Sequence, residues 1–196
     1  MIMQLSGWSG ARFFIDALHW KPPGAGDVPF HYDNSYMQWS IPLTMKALWI
    51  ALDEVTLSRG PMVYARGCHL WDRFETSGYA QRTQSGVGAF LGGDDFSGAV
   101  EAAALQAREE VDYQVIELPA GAGVLHNGRT WHGSQANTDS RDRVSLSIHC
   151  MPHNATYSPD FNDPIESRYK RFDSLEIDEA YFPILWTDNG YQESLD

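Results

Sequence analysis

Cysteine is nearly absent from this chain, with Cys68 and Cys150 the two examples in 196 residues. Two thiols cannot build a disulfide framework or a cysteine-based zinc site, and a cytoplasmic, reducing setting is expected. No apolar run approaches the roughly 20 residues of a bilayer span, so no membrane partner is expected. The stretch from Met1 to Phe14 has no basic region ahead of an apolar one, which reads as no signal peptide. Positive charge is scarce: Lys and Arg number 14 against 26 Asp and Glu, for a net charge of −12. That excludes the clustered cations a phosphate backbone needs, so no nucleic-acid partner is expected. From Ser158 onward ten acidic residues face three basic ones, which reads as a solvated surface. Internal repeats and low-complexity segments are also missing.

What is present is globular. Apolar residues make up 43% and aromatics 13%, with seven Trp, enough to bury the core of a single domain spanning 1–196. The core of that domain is expected from about 11 to 152, with 153–196 as an acidic, aromatic extension. Phe13 to Trp20 reads as a strand ending at Lys21-Pro22-Pro23-Gly24. Val28 to Asp33 reads as a second extended piece, and Leu43 to Leu52 as a buried strand. Gly60-Pro61 marks a turn before a strand at Met62 to Ala65. Ser97 to Glu110 is the clear helix candidate, Ala-rich and free of Gly and Pro after Gly98. Tyr113 to Leu118, Gly123 to Leu125, Thr130 to Gly133 and Val144 to Cys150 read as further strands, with Asn127-Gly128 as a hairpin turn. The cluster Tyr181 to Trp186 is expected to pack back on the core. Many short strands predict a mainly β fold, and a double-stranded β-helix (a jelly roll, cupin-like) with one or two flanking helices would hold a pocket between its sheets.

The chemistry concentrates in three residues. His31 and Asp33 form a His-x-Asp pair, and His132 lies far downstream in Trp131-His132-Gly133-Ser134. Residues i and i+2 of a strand share a face, so an imidazole and a carboxylate can chelate together. Two imidazoles and one carboxylate form the facial ligand set of non-haem Fe(II), with open positions on the metal. Arg143 follows His132 by eleven residues, and Ser145 shares its strand face. An Arg and a Ser so placed can clamp the far carboxylate of an acidic cosubstrate. His126 also lies close to His132 and stays open as an alternative ligand, though packing beside the site suits it better. Trp20, Tyr32, Tyr36, Trp39 and Trp131 are candidates to line a pocket, against ordinary core packing for at least half of them. A zinc or manganese hydrolase or isomerase, or a non-catalytic binding domain, could use the same donors. Arg143 with Ser145 argues against the first.

Four stretches together resemble the phytanoyl-CoA dioxygenase family of Fe(II)/2-oxoglutarate oxygenases. They are DALHWKPPGAGDVPFHYD from Asp16, WIALDEVTLSRGPMVYARGCH from Trp49, GAGVLHNGRTWHGSQAN from Gly121, and the segment Ser140 to Met151. The resemblance implies a jelly roll that uses Fe(II), 2-oxoglutarate and O2 on a small-molecule substrate. The reaction expected is hydroxylation of an unactivated C–H bond, with release of succinate and CO2, while desaturation, ring closure, epimerisation or endoperoxide formation would use the same iron ligands. His31, Asp33 and His132 would be the catalytic iron ligands, and Arg143 would bind 2-oxoglutarate with Trp49 and Ser134 beside it. Lys21 matches a recurrent lysine. Related halogenases lack the carboxylate, so Asp33 disfavours halogenation. Ser-Arg-Gly-Pro-Met at Ser58 and Arg66-Gly67-Cys68-His69 depart from the family's usual residues, in a loop expected at the pocket rim. Thirty residues precede His31, where members usually carry an earlier helical segment, so a short member or a trimmed chain is expected.

Overall fold

Alternation of small or polar with aliphatic residues shapes the sheets, and β9 shows why. In Arg143–Pro152 the side chains of Arg143, Ser145 and Ser147 are buried on one face, while Val144, Leu146 and Ile148 take the other. The computed structural model describes residues 2–72, 95–160, 163 and 165–190. Its elements are α1 (Ile2–Ser6), β1 (Gly10–Lys21), β2 (Val28–His31), β3 (Ser40–Ile41), β4 (Lys46–Ala51), β5 (Met62–Ala65), α2 (Gly98–Ala107), β6 (Tyr113–Ile116), β7 (Gly123–Asn127), β8 (His132–Ser134), β9, β10 (Thr156–Tyr157) and β11 (Ile184–Thr187).

Two antiparallel sheets carry the fold, as expected for a jelly roll. A five-stranded sheet runs β11-β1-β9-β4-β7, and a four-stranded sheet runs β2-β8-β5-β6. Strand β1 is the long spine of the larger sheet. A bulge between Phe13 and Ile15 shifts its register against β9 and inverts which side chains face inward. Before the bulge Arg12 is buried, as is Phe14 within it. Arg12 donates to the carbonyls of Ile177 and Phe182. After it, His19 and Lys21 face the cavity between the sheets.

Helix α2 forms within the stretch expected to be helical, and its start is capped. Asp95 Oδ1 accepts the Gly98 amide at 2.8 Å. Its residues Val100, Ala103 and Ala104 recur at helical spacing and pack on Phe30, Val63 and Trp131. Among the described residues no helix is long and apolar enough to cross a membrane.

Two local expectations change. Asn127-Gly128 does not close a hairpin, because β7 belongs to the larger sheet and β8 to the smaller. The dipeptide carries the chain across the sandwich instead. The Gly128 amide donates to the Met45 carbonyl, and its own carbonyl accepts the Asn34 amide. A Cβ at Gly128 would stand 2.0 Å from Asn34 Oδ1, so glycine serves close approach here. The second change is at His31, where β2 ends. Asp33 opens a 3-10 turn, Asp33–Tyr36, because Asn34 is tied to Leu43 and Met45 by its side chain as well as to Gly128.

The C-terminal residues join the fold. β11 pairs with β1, and Phe182 is 4% exposed against Phe14 and Trp39 at ring separations of 6.1 and 5.8 Å. Tyr181, Leu185 and Trp186 of the same cluster stay exposed. Phe182→Ala is expected to cost about 3–5 kcal/mol, read as a shifted midpoint of one cooperative urea transition.

Candidate metal centre

His31 closes β2 and His132 opens β8, and the two are directly paired across the strands. Their ring centroids lie 4.3 Å apart. His31 Nδ1 is 3.0 Å from the Pro29 carbonyl, and His132 Nδ1 is 2.9 Å from the Thr130 carbonyl. A carbonyl only accepts, so each Nδ1 carries the proton and each Nε2 keeps a lone pair. Both Nε2 atoms turn toward Asp33 Oδ1, at 4.0 and 3.6 Å. One ligand atom from each of His31, Asp33 and His132 lies within 4.8 Å of the others. Gly133 permits this approach of β8 to β2, since a Cβ there would meet the Val28 carbonyl at 2.7 Å.

Asp33 is 6% exposed, and burial alone would raise its carboxyl. His132, the hydrogen bond from His126 and the neighbouring His149 outweigh that and hold it well below the usual carboxylate range. Burial pushes His31 down and His132 far down, with Asp33 opposing in both cases. Neutral imidazoles and an ionised carboxylate are the protonation states a divalent cation requires. The donor set therefore fits a metal, and two nitrogens with one carboxylate oxygen suit Fe(II).

The alternative ligand, His126, is engaged elsewhere. Its Nε2 lies 2.9 Å from Asp33 Oδ2 and its Nδ1 3.2 Å from the Tyr64 hydroxyl. His149, which carries no motif in the sequence, stands with its Nε2 3.7 Å from the same Asp33 oxygen. Counting by twos from Arg143 along β9 reaches Ser145, Ser147 and His149, and that period was the available signal. His19 follows the same logic on β1. Its Nε2 is 2.7 Å from Ser147 Oγ, and desolvation followed by the charge of Arg143 lowers it to about 4.

A cavity of about 570 Å³ extends from the three donors to Arg143 and is lined by residues of both sheets. Arg143 is 3% exposed. Its Nη1 donates to Ser145 Oγ at 2.7 Å, and its guanidinium lies 5.4 Å from the Trp49 ring centre. Its buried Nε makes no hydrogen bond, and burial lowers its pKa to about 10. A guanidinium held this way has donor capacity left for an anion. Ser145 braces it from beneath and is fully buried. Lys21 pairs with Arg143 across β1 and β9. Its Nζ donates to Ser134 Oγ at 2.9 Å, to the Ser134 carbonyl at 3.3 Å and to the Gln135 carbonyl, so its three protons are used in tying β1 to β8. Burial, then Arg143, lowers Lys21 to about 8. Trp49 and Ser134 both line the cavity. Of the five aromatic candidates, Trp20 and Tyr36 line it. Trp39 and Trp131 are core residues, and Tyr32 packs on Trp131 at 4.9 Å.

Comparison with known proteins follows the same lines. The family model described as phytanoyl-CoA dioxygenase (PhyH) matches residues 7–145. A Caenorhabditis elegans phytanoyl-CoA dioxygenase domain-containing protein 1 homolog is 25% identical over 161 residues, 81% of this chain and 52% of its own length. An Arabidopsis thaliana phytanoyl-CoA dioxygenase is 30% identical over 132 residues, 67% of this chain and 41% of its own. The chain thus spans about half the length of these relatives. Among solved structures, the epimerase SnoN from nogalamycin biosynthesis, in complex with Fe3+, alpha ketoglutarate and nogalamycin RO, aligns with a TM-score of 0.68 at 22% identity. That alignment covers 94% of this chain and 68% of SnoN. The carbocyclase SnoK aligns at 0.64 with 25% identity, over 94% of this chain and 65% of its own. The architecture is therefore that of the 2-oxoglutarate oxygenase jelly roll, and by the family match the chain belongs to the phytanoyl-CoA dioxygenase family.

Proposed function

We propose that this chain is an Fe(II)- and 2-oxoglutarate-dependent oxygenase that hydroxylates a C–H bond of a small organic metabolite, with succinate and CO2 as co-products. The observation that carries the reading is the convergence of His31, Asp33 and His132 on one point, inside the cavity that also holds Arg143. On this reading those three residues hold the iron. When bound, iron with 2-oxoglutarate supplies the O2-dependent oxidation that no amino-acid side chain can perform.

The chain's own residues do the rest. Arg143 pairs with the far carboxylate of the cosubstrate, held at a fixed angle by Ser145 and Trp49. Lys21 adds a second positive charge on the same side and anchors Ser134. Phe14, Met45, Met62 and Tyr36 present an apolar wall that keeps water from the reacting carbon and suits a mostly apolar substrate. A hydrolase on the same donors would have no use for a buried guanidinium with an unmatched N–H. Two similar structures are an epimerase and a carbocyclase, so stereochemical inversion or ring closure is the second reading for the same site.

Anaerobic addition of Fe(II) and then 2-oxoglutarate is expected to give a visible charge-transfer band. No band, together with tight binding of zinc alone, would sink the proposal. Arg143→Ala should weaken 2-oxoglutarate binding by about 1.5–3 kcal/mol, the cost of a charge-assisted hydrogen bond, or roughly tenfold to a hundredfold in Kd. Fe(II) affinity, measured separately by titration, should be unchanged.

A further inference from the structure

Asp33 presents its two oxygens to different neighbours. Oδ1 faces His31 and His132, the paired residues of β2 and β8. Oδ2 faces His126, at hydrogen-bond distance, and His149 farther off. A carboxylate that gives one oxygen to a metal keeps a second one that must be satisfied, and rotation about its terminal torsion would exchange the two. The contacts at Oδ2 bear on that exchange. Asp33 is ionised and can only accept, so the proton at the 2.9 Å contact lies on His126 Nε2. In a neutral ring that leaves Nδ1 as an acceptor, and the Tyr64 hydroxyl, 3.2 Å away, must donate to it. The ring of Tyr64 also lies 5.3 Å from that of His126 and 5.7 Å from that of His132. Tyr64 is on β5 and His126 on β7, so the relay spans both sheets and ends on the turn that carries Asp33.

We infer that His126 is a positioning residue for the carboxylate ligand, holding Asp33 Oδ2 so that Oδ1 faces the metal, with Tyr64 fixing the tautomer that lets His126 do so. The inference rests on the metal assignment proposed above. It extends that assignment to two residues that touch neither iron nor cosubstrate. It also accounts for a histidine at position 126, after the aliphatic Val124 and Leu125 of the same strand.

The test measures Fe(II) affinity anaerobically, and the visible spectrum of the protein loaded with Co(II), for the wild type and three variants. His126→Leu is expected to raise the Fe(II) Kd about tenfold to a hundredfold, the usual cost of losing such a partner, and to change the Co(II) spectrum as the carboxylate turns. His126→Gln keeps an N–H near the Nε2 position and should recover most of the affinity and the wild-type spectrum. Tyr64→Phe retains the ring and should give a smaller loss in the same direction. A folded His126→Leu protein with wild-type affinity and spectrum overturns the inference, as does a His126→Gln protein as weak as His126→Leu. If His126→Leu does not fold, Tyr64→Phe decides, and an unchanged affinity and spectrum in that variant overturns it. A wild-type chain that binds neither ion defeats the metal assignment itself, before any variant is made.

Discussion

A buried negative charge with no local compensation would not survive folding, and the carboxylate of Asp33 is the one on which this site depends. Four imidazoles surround it, with Nε2 atoms between 2.9 and 4.0 Å from its oxygens. They come from β2, β7, β8 and β9, so both sheets contribute. Burial disfavours a charge on His31, His132 and His149, and the same anion opposes that in each. The arrangement gains its full electrostatic return only when a cation occupies the side facing His31 and His132. On the proposed reading, the fold alone sets a place for positive charge beside two histidines whose burial disfavours protonation.

Around that point the two sheets divide the labour. The larger sheet supplies the polar inner face: Arg143, Ser147 and His149 from β9, His19 and Lys21 from β1, His126 from β7. The smaller sheet supplies His31, His132 and the Ser134 that Lys21 holds. The cations stand at the Arg143 end and the donors at the other, which on the proposed reading separates the region for the cosubstrate carboxylate from the region for the metal. Two glycines make the geometry possible. Gly128 admits Asn34 and Gly133 admits β2, and a methyl group at either would push the Asp33 turn or His132 away from its partner.

Much of this was legible in the sequence, and the limits have physical reasons. His31, Asp33, His132, Arg143 and Ser145 could be read because each belongs to a short local pattern, and the structure brings all five to one region. The strands were readable wherever apolar residues alternate, as in β4 and β9. The turn at Asp33 was not, because its cause is a set of bonds from Asn34 to residues nine and more positions away. The Asn127-Gly128 pair misled for a related reason. Its local preference is for a hairpin, and the tertiary contact with Asn34 and Met45 overrides it. His149 carried no motif and could be found only by following the phase of β9 from Arg143. Trp39 and Trp131 looked like pocket residues by proximity in sequence, but packing places them in the core.

The bulge in β1 has a consequence for how such a chain can change over time. It acts like a shift of reading frame written in geometry. Upstream of it, even-numbered positions look inward and secure the C-terminal segment; downstream, odd-numbered positions do so and equip the cavity. Inserting or deleting one residue between Ile15 and Lys21 would rotate Lys21 outward and take a cation away from Arg143. The loops at either end of the strand carry no such parity. Length variation among descendants of this chain should therefore gather in those loops and leave the strand itself unchanged in length, whatever happens to its letters.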